Sequence, residues 1–169
     1  MVALRYLFLF LIIVIAFFWL AGQVGLLRGK APGDLGVHNN RLKTPSITPN
    51  SVSSQAHFYP EHPQAKYASV QAFPVLNENA EQSLLRLGGL LNAMPGIKVI
   101  KQEKHYLHAE CESQRLRFVD DLEMFFDAPN NLIHVRSASR LGRSDLGVNR
   151  KRVEELRVAY LSTLPSDPK

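Results

Sequence analysis

The sequence contains a single cysteine, which excludes several classes of site. Because Cys111 stands alone, the chain can form no intramolecular disulfide and no multi-cysteine zinc or iron–sulfur site. It falls in an alternating apolar pattern with Leu107 and Ala109. This pattern predicts a small buried residue, since a reactive thiol would need an activating neighbour.

An excess of charge of one sign is also missing from most of the chain. Three of the 20 basic residues (Arg5, Arg28 and Lys30) and none of the 15 acidic residues lie in positions 1–30. The rest of the chain is therefore close to neutral. A nucleic-acid surface would need a larger excess or a basic stripe, so nucleic acid is excluded as a partner.

Motifs for metal, cofactor and nucleophile chemistry are missing too. The chain has no P-loop, no G-x-G-x-x-G and no Ser-His-Asp order. His105 and His108 are three apart on a predicted strand and so point to opposite faces, while His57 and His62 share a loop with Glu61 and lack a third ligand. No metal and no cofactor is expected.

What the chain does have is a long apolar N-terminal run. Residues 6–27 carry no charge, and as a helix they would measure about 33 Å, enough for a hydrocarbon core. Arg5 precedes the run, Arg28 and Lys30 follow it, and Trp19 suits a membrane interface. Residues 1–30 are therefore predicted to be a single-pass membrane anchor.

The alternative is a cleaved signal peptide, and the flanking residues disfavour it. The small residues Ala21, Gly22 and Gly25 do not form an A-x-A cleavage pattern, and no cysteine follows for lipid attachment. The expected location is a membrane, the inner membrane if the chain is bacterial. The side of the soluble part stays open, because the basic flank favours the cytoplasm but long domains cross regardless of charge.

Beyond the anchor, the patterns predict one α+β domain. Residues 31–66 are a linker rich in Pro, Ser and Asn that packs partly on the domain, residues 67–164 are the domain itself, and residues 165–169 are a tail. Five strands are predicted at 67–73, 97–102, 106–112, 116–126 and 132–138. Short connections make the last four an antiparallel meander.

Two amphipathic helices complete the domain. Asn79 caps the first, whose stripe of Ala80, Leu84, Leu87 and Leu91 ends before Pro95. The second spans 150–164 with Asn149 as its cap and a stripe of Val153, Leu156, Tyr160 and Leu164. The order β-α-β-β-β-β-α predicts an antiparallel sheet of about five strands with both helices on one face.

The strand 116–126 contains an unusual group of carboxylates. Alternation places Asp120 among the apolar residues, where it must be paired, neutral or at a bulge. Asp121 and Glu123 project together from the other face and suit either cross-strand ion pairs with residues such as Arg136 or general-base chemistry.

The loop 139–149 is the second polar group. It places glycines (Gly142, Gly147) and Ser139, Ser144 and Asn149 directly before a helix, and such a position attracts phosphate or a lipid headgroup. In the structural interpretation, Asp145 and Asn149 tether the turn while the arginines pair with the acidic strand.

Over about residues 33–162 the chain resembles domain-of-unknown-function family 1499 of bacteria and plastid-targeted plant proteins. The resemblance is carried by the runs FVDDLEMFF and VRSASRLGRSDLGVNRKRVEELR, with PNSVSSQA and GDLGVHNNRL upstream. The resemblance implies a fold and a polar constellation without a reaction. Its characteristic positions here are Asn50, Ser53, Ser54, Asp120, Asp121, Glu123, Arg136, Ser137, Ser139, Arg140, Gly142, Asp145, Asn149, Arg150 and Arg152. The cysteine pair that family members often carry is absent, with Ser51 at one of its positions.

Three functions fit these observations. The first is a membrane-tethered, non-enzymatic accessory or binding domain whose Arg/Asp/Asn loop meets an anionic ligand or an acidic protein partner. The second is a hydrolase or transferase with Asp120, Asp121 or Glu123 as general base and an arginine as stabiliser. The third is a purely structural envelope protein. No oligomeric state is favoured.

Overall fold

The structure, a computed structural model, describes residues 1–76 and 79–163. Helix α1 spans Val2–Gln23 and is followed by an arm, residues 24–50, without long regular elements. The most apolar 18-residue window of α1 has a mean hydropathy of 2.5, and none of its side chains is buried in the protein. By length and composition α1 is therefore able to cross a membrane or to serve as a signal sequence.

The domain is built on one antiparallel sheet, which confirms the predicted α+β fold. Its strands are β1 Ser51–Ser53, β2 Phe73–Pro74, β3 Ile97–Gln102, β4 Tyr106–Glu112, β5 Val119–Asp127 and β6 Leu132–Ser139. They lie in the order β1-β6-β5-β4-β3, and β2 also pairs with β6. The meander of the last four strands is as predicted, and β1 adds an unexpected sixth strand at the edge.

Four helical segments complete the fold: the 3-10 turn Ala56–Phe58, α2 Ala65–Ala68, α3 Ala80–Ala93 and α4 Val148–Leu161. Leucines of α3 and the stripe Val153, Leu156 and Tyr160 of α4 share one buried core with Leu122 and Met124 of β5. Both long helices thus cover one face of the sheet, as predicted. We call this the helix face.

The opposite face is covered by the arm, and we call it the arm face. Leu42 of the arm packs with Tyr106 and Phe125 in a second small core. The Gly36 N–H donates to Glu123 Oε1 over 2.7 Å, and the Arg28 guanidinium pairs with Glu110 and Glu112 of β4. The arm therefore lies across the sheet and shields charged residues on β4, β5 and β6.

Two local predictions were wrong, and a third falls on residues outside the described part of the chain. The strand expected at 67–73 is mostly a helical turn and a loop, and Phe73 and Pro74 alone pair with β6. Helix α4 begins at Val148 with Gly147 in the cap position, so Asn149 lies inside the helix instead of capping it. Leu164 and the tail lie outside the described residues.

Candidate functional site

Three carboxylates of strand β5 are divided between the two faces of the sheet. Asp120 lies on the helix face beside the core, and Asp121 and Glu123 lie on the arm face. All three residues are buried. Burial of carboxylates demands charged or hydrogen-bonding partners, and each finds a different arginine.

On the helix face the partner of Asp120 comes from α4. Arg152 Nη2 donates to Asp120 Oδ2 over 2.7 Å, and its Nη1 donates to Ser137 Oγ over 3.1 Å and to Asn149 Oδ1 over 2.9 Å. The Asp120 carboxylate is therefore ion-paired at the edge of the apolar core.

Asn149 is the centre of the helix-face network. Its fully buried side chain accepts from the Ser137 hydroxyl, and its Nδ2 donates to Ser139 Oγ over 3.1 Å and to the Asn50 carbonyl over 3.3 Å. Asn50 Nδ2 donates in turn to the Gly142 carbonyl over 2.7 Å. The Asn149 side chain thus ties α4 to β6 and to Asn50, and the Asn50 side chain in turn binds the loop after β6.

The Asp145 side chain accepts hydrogen bonds at the start of α4. Its Oδ1 accepts from the Gly147 N–H and its Oδ2 from the Asn149 N–H, both over 3.0 Å. Burial raises the pKa of this carboxyl, but the hydrogen bonds from the Tyr67 hydroxyl and from these N–H groups outweigh it and hold the pKa below its usual range. Arg150 donates to the carbonyls of Tyr67 and Ser69.

On the arm face Asp121 is engaged on both oxygens. Arg140 Nε donates to Oδ2 over 2.8 Å, Arg140 Nη2 donates to Oδ1 over 2.7 Å, and His108 Nε2 lies 2.8 Å from Oδ1. Burial raises the pKa of Asp121, but the hydrogen bonds from Arg140 and His108 prevail and lower it. Arg140 Nη2 also donates to Glu110 Oε1 over 2.6 Å.

The pair Glu123 and Arg136 is less complete. The two residues are directly opposite in the β5–β6 register, yet Arg136 Nη1 lies 3.6 Å from Glu123 Oε2, beyond a hydrogen bond. Glu123 Oε1 accepts from the Tyr106 hydroxyl. Within residues 1–76 and 79–163, Arg136 Nε and Glu123 Oε2 are buried without a hydrogen-bond partner.

A cavity of about 400 Å³ lies between the arm and the sheet beside this pair. Four of its lining residues are basic, namely Lys30, Lys43, Arg136 and Arg140, and one, Asp121, is acidic. Thr44 and Ser46 add hydroxyl groups. Arg140 is already bonded to two carboxylates, whereas the buried Nε of Arg136 has no hydrogen-bond partner within the described residues.

A further buried group links Ser54, His134 and Asp127. Ser54 Oγ lies 3.0 Å from His134 Nδ1, and His134 Nε2 lies 3.3 Å from Asp127 Oδ2. Ser54 Oγ also accepts from the Val135 N–H over 2.9 Å, so the hydroxyl is fixed between strands. We regard the group as a tether of β1 to β6, since all three residues are buried.

The polar residues singled out from the sequence therefore divide between two networks. Asp120, Ser137, Ser139, Asn149, Arg152 and Asn50 lie on the helix face, whereas Asp121, Glu123, Arg136 and Arg140 lie on the arm face. Ser53 accepts from the Gln55 N–H, and Asp145 and Arg150 fix the loop before α4.

Sequence reasoning missed the partners that come from elsewhere. His108 and Glu110 alternate with the apolar residues of β4, which was a signal for the arm face. No sequence pattern placed Lys30 and Lys43 near these residues, since only folding of the arm brings them to the sheet. Among the described residues no group of three or more His, Cys, Asp or Glu could hold a metal ion.

The comparisons with known proteins give one match. No curated protein and no protein of solved structure shows significant similarity to the chain. The sequence model of the family described as "Protein of unknown function (DUF1499)" matches residues 41–159, which covers the sheet, helices α2 and α3, most of α4 and both polar networks. The chain therefore belongs to the DUF1499 family.

Proposed function

We propose that the protein is a membrane-anchored binding domain that takes a small phosphate-bearing anion in the arm-face cavity. The observation that carries this proposal is Arg136, a guanidinium whose residue is 4% exposed, whose Nε has no partner among the described residues and which lines the cavity. A buried donor without a partner is costly. An anion in the cavity would supply the missing acceptor.

The charges around Arg136 support an anionic ligand. Burial lowers the pKa of the guanidinium while Glu123, Asp121 and Asp34 raise it, and arginine remains a cation in proteins. Lys30 and Lys43 add positive charge at the cavity wall. Lys43 also pairs with Asp34, whose carboxylate is exposed, and an entering anion can compete for that lysine.

The volume of the cavity and the donor groups of its wall favour a ligand of the phosphate class. Its volume of about 400 Å³ falls in the range of small-molecule sites. Arginine and lysine with the hydroxyls of Thr44 and Ser46 form the donor set that phosphate oxygens accept from.

This proposal moves the anion site away from the loop before α4. Arg140 is bonded to Asp121 and Glu110, and Arg150 is bonded to two backbone carbonyls, so these arginines have less to offer a ligand. Asp120 and Asp121 are held in ion pairs. This arrangement argues against a role as general base, which needs an available lone pair and a pKa near the working pH.

The anchor half of the proposal rests on α1. Its 22 residues match the span of a bilayer core, and no side chain in its most apolar 18-residue window is buried in the protein. Mass spectrometry of the protein extracted from cell membranes tests it. We expect residues 1–30 to be retained and the chain to resist alkaline carbonate extraction, whereas a mature protein lacking α1 would overturn the anchor.

The ligand half is tested on the full chain in nanodiscs. In phosphatidylcholine discs, calorimetric titration with inorganic phosphate measures binding of a free anion. In discs containing phosphatidic acid, the rise in melting temperature over phosphatidylcholine measures binding of a lipid headgroup. We expect binding in at least one of these two experiments, and the experiment that gives a response identifies the source of the phosphate.

Variants of the cavity wall decide whether the response comes from this site. Lys30→Gln and Lys43→Gln should each weaken binding by about three- to tenfold, the effect of losing one partly exposed charge contact of about 1 kcal/mol. Arg136→Lys keeps the charge but loses the planar donors and should weaken it further. Lys66→Gln, at the exposed position of α2, is the matched control. Equal binding by the wild type and all three cavity variants would overturn the site.

A further inference from the structure

An apolar patch lies at one end of the domain, where the loop after β6 meets the start of α4. Leu146 is 92% exposed, Val148 is 49% exposed and Leu141 is 41% exposed. Together with Phe118 they line a cavity of about 310 Å³. Exposed apolar side chains in a contiguous group mark a contact surface.

The backbone of Leu146 is held in an unfavourable conformation that displays its side chain. Its φ is 53°, in the left-handed region that a bulky side chain rarely adopts. The Leu146 N–H donates to Ser144 Oγ over 3.2 Å, and the next N–H, from Gly147, donates to Asp145 Oδ1 over 3.0 Å. The turn therefore fixes a leucine outward, although solvent exposure gives that side chain no packing energy.

This patch lies at the end of the domain that contacts the end of α1. A Cβ added to Gly22, in the last turn of α1, would lie 2.6 Å from the Leu116 carbonyl oxygen. A Cβ added to Gly29 would lie 2.8 Å from Arg140 Cβ and 2.9 Å from Leu141 Cγ. The chain thus leaves the apolar helix in direct contact with Leu141, a member of the patch.

Basic side chains occur in the segments that carry the patch residues. Arg115, Arg117, Arg143 and Lys151 are exposed on these loops and at the start of α4, where Arg117 pairs with Glu112 and Lys151 with Glu155. Apolar side chains flanked by arginine and lysine are typical of segments that enter the boundary between lipid headgroups and acyl chains. Anionic headgroups attract such basic residues.

We propose that Leu141, Leu146 and Val148 insert into the lipid interface on the side where α1 leaves the bilayer, and so fix the orientation of the domain on the membrane. The inference rests on the anchor half of the proposed function. It is independent of the phosphate ligand.

Lipid quenching of a fluorophore tests the insertion on the full chain in phosphatidylcholine and phosphatidylglycerol vesicles. Cys111→Ala provides a background without cysteine, and single cysteines are then introduced by Leu146→Cys, Leu85→Cys or Ile13→Cys and labelled with an environment-sensitive dye. Leu85 is exposed on α3 and serves as the matched surface control. Ile13, in the middle of α1, reports on the anchor.

We expect the label at position 146 to be blue-shifted and to lose most of its emission with lipids that carry a quencher just below the headgroups, the depth of about 5–10 Å at which interfacial segments lie. The label at position 85 should keep its emission. The label at position 13 should respond to quenchers at the bilayer centre.

The position 13 label separates the two possible failures. If it is quenched while position 146 behaves like position 85, the anchor stands and the interfacial insertion is overturned. If position 13 is also unquenched, the anchor itself fails, and with it the basis of the inference. Energy transfer between labels at position 146 that rises with protein density, without lipid quenching, would assign the patch to a second copy of the chain and would equally overturn the insertion.

Discussion

Asp121 and Arg140 face each other on the arm face through two hydrogen bonds, of 2.8 Å from Nε and 2.7 Å from Nη2. The side chains are 2% and 4% exposed, so water screens the pair poorly. The same arginine reaches Glu110, and the same aspartate reaches His108. This four-residue group joins the end of β6 to β5 and β4 on the side away from the main core.

The Asp121→Asn variant should be strongly destabilised. It removes the negative charge opposite a buried guanidinium, and breaking such a pair typically costs about 3–5 kcal/mol. Denaturant unfolding of the full chain in detergent measures the loss. Glu103→Gln, which breaks the exposed pair with Lys101, is the control and should cost less than about 1 kcal/mol. Similar losses in the two variants would show that the group contributes little.

The two adjacent glycines of α3 should respond differently to alanine. A Cβ added at Gly89 meets nothing within 4 Å. One at Gly88 would meet the Gln102 side chain, which donates to the Leu84 carbonyl over 3.0 Å. Gly89→Ala should therefore raise the free energy of unfolding by about 0.5–1 kcal/mol through helix propensity.

The Gly88→Ala variant serves as the comparison in the same helix. It gains the same propensity but displaces Gln102, so its net effect should be smaller or unfavourable. Unfolding curves of both variants in one buffer provide the measurement. A larger gain for Gly88→Ala than for Gly89→Ala would contradict the packing described for α3.

Local patterns were enough to predict the meander and both long helices. Alternation and tight turns determine β3 to β6, and Asn79 accepts from the Gln82 N–H as the capping pattern predicted. Asp120 was recognisable as a buried carboxylate needing a partner, because alternation placed it beside Leu122 on the core face.

Contacts between distant segments were not predictable in the same way. Strand β1 is three residues long, and its Ser51 and Ser53 flank a single apolar residue, so only pairing with β6 reveals it as a strand. The arm has no periodicity, and its position over the sheet depends on contacts such as Gly36 with Glu123. Lys30 and Lys43 reach the cavity through that folding.

Stability should fall as the pH drops below about 6.5, and His134 should contribute to the fall. Burial lowers the pKa of His134, although Asp127 raises it. Because the folded pKa lies below the unfolded value of about 6.5, the unfolded chain binds protons first. The contribution is therefore present above pH 6.5 and is lost as the pH falls through the folded pKa.

Substitution of the histidine isolates this effect. His134→Gln should flatten the slope of unfolding free energy below about pH 6.5, the unfolded pKa of histidine, as measured by denaturant titrations at several pH values. His38→Gln, on the exposed part of the arm, is the matched control. Equal flattening by the two substitutions would exclude His134 as the source.

A double-mutant cycle on Arg136 and Glu123 measures how the incomplete pair contributes to folding. Arg136→Met leaves Glu123 charged and buried, with hydrogen bonds to its Oε1 from the Tyr106 hydroxyl and the Gly36 N–H, and should cost about 3–5 kcal/mol. Glu123→Gln leaves the guanidinium buried without its nearest anion and should be similarly costly. The double variant removes both charges, so we expect its loss to be smaller than the sum of the single losses by about 1–3 kcal/mol. Losses that simply add would mean that the 3.6 Å separation leaves the two charges uncoupled, and that the guanidinium is held for another purpose.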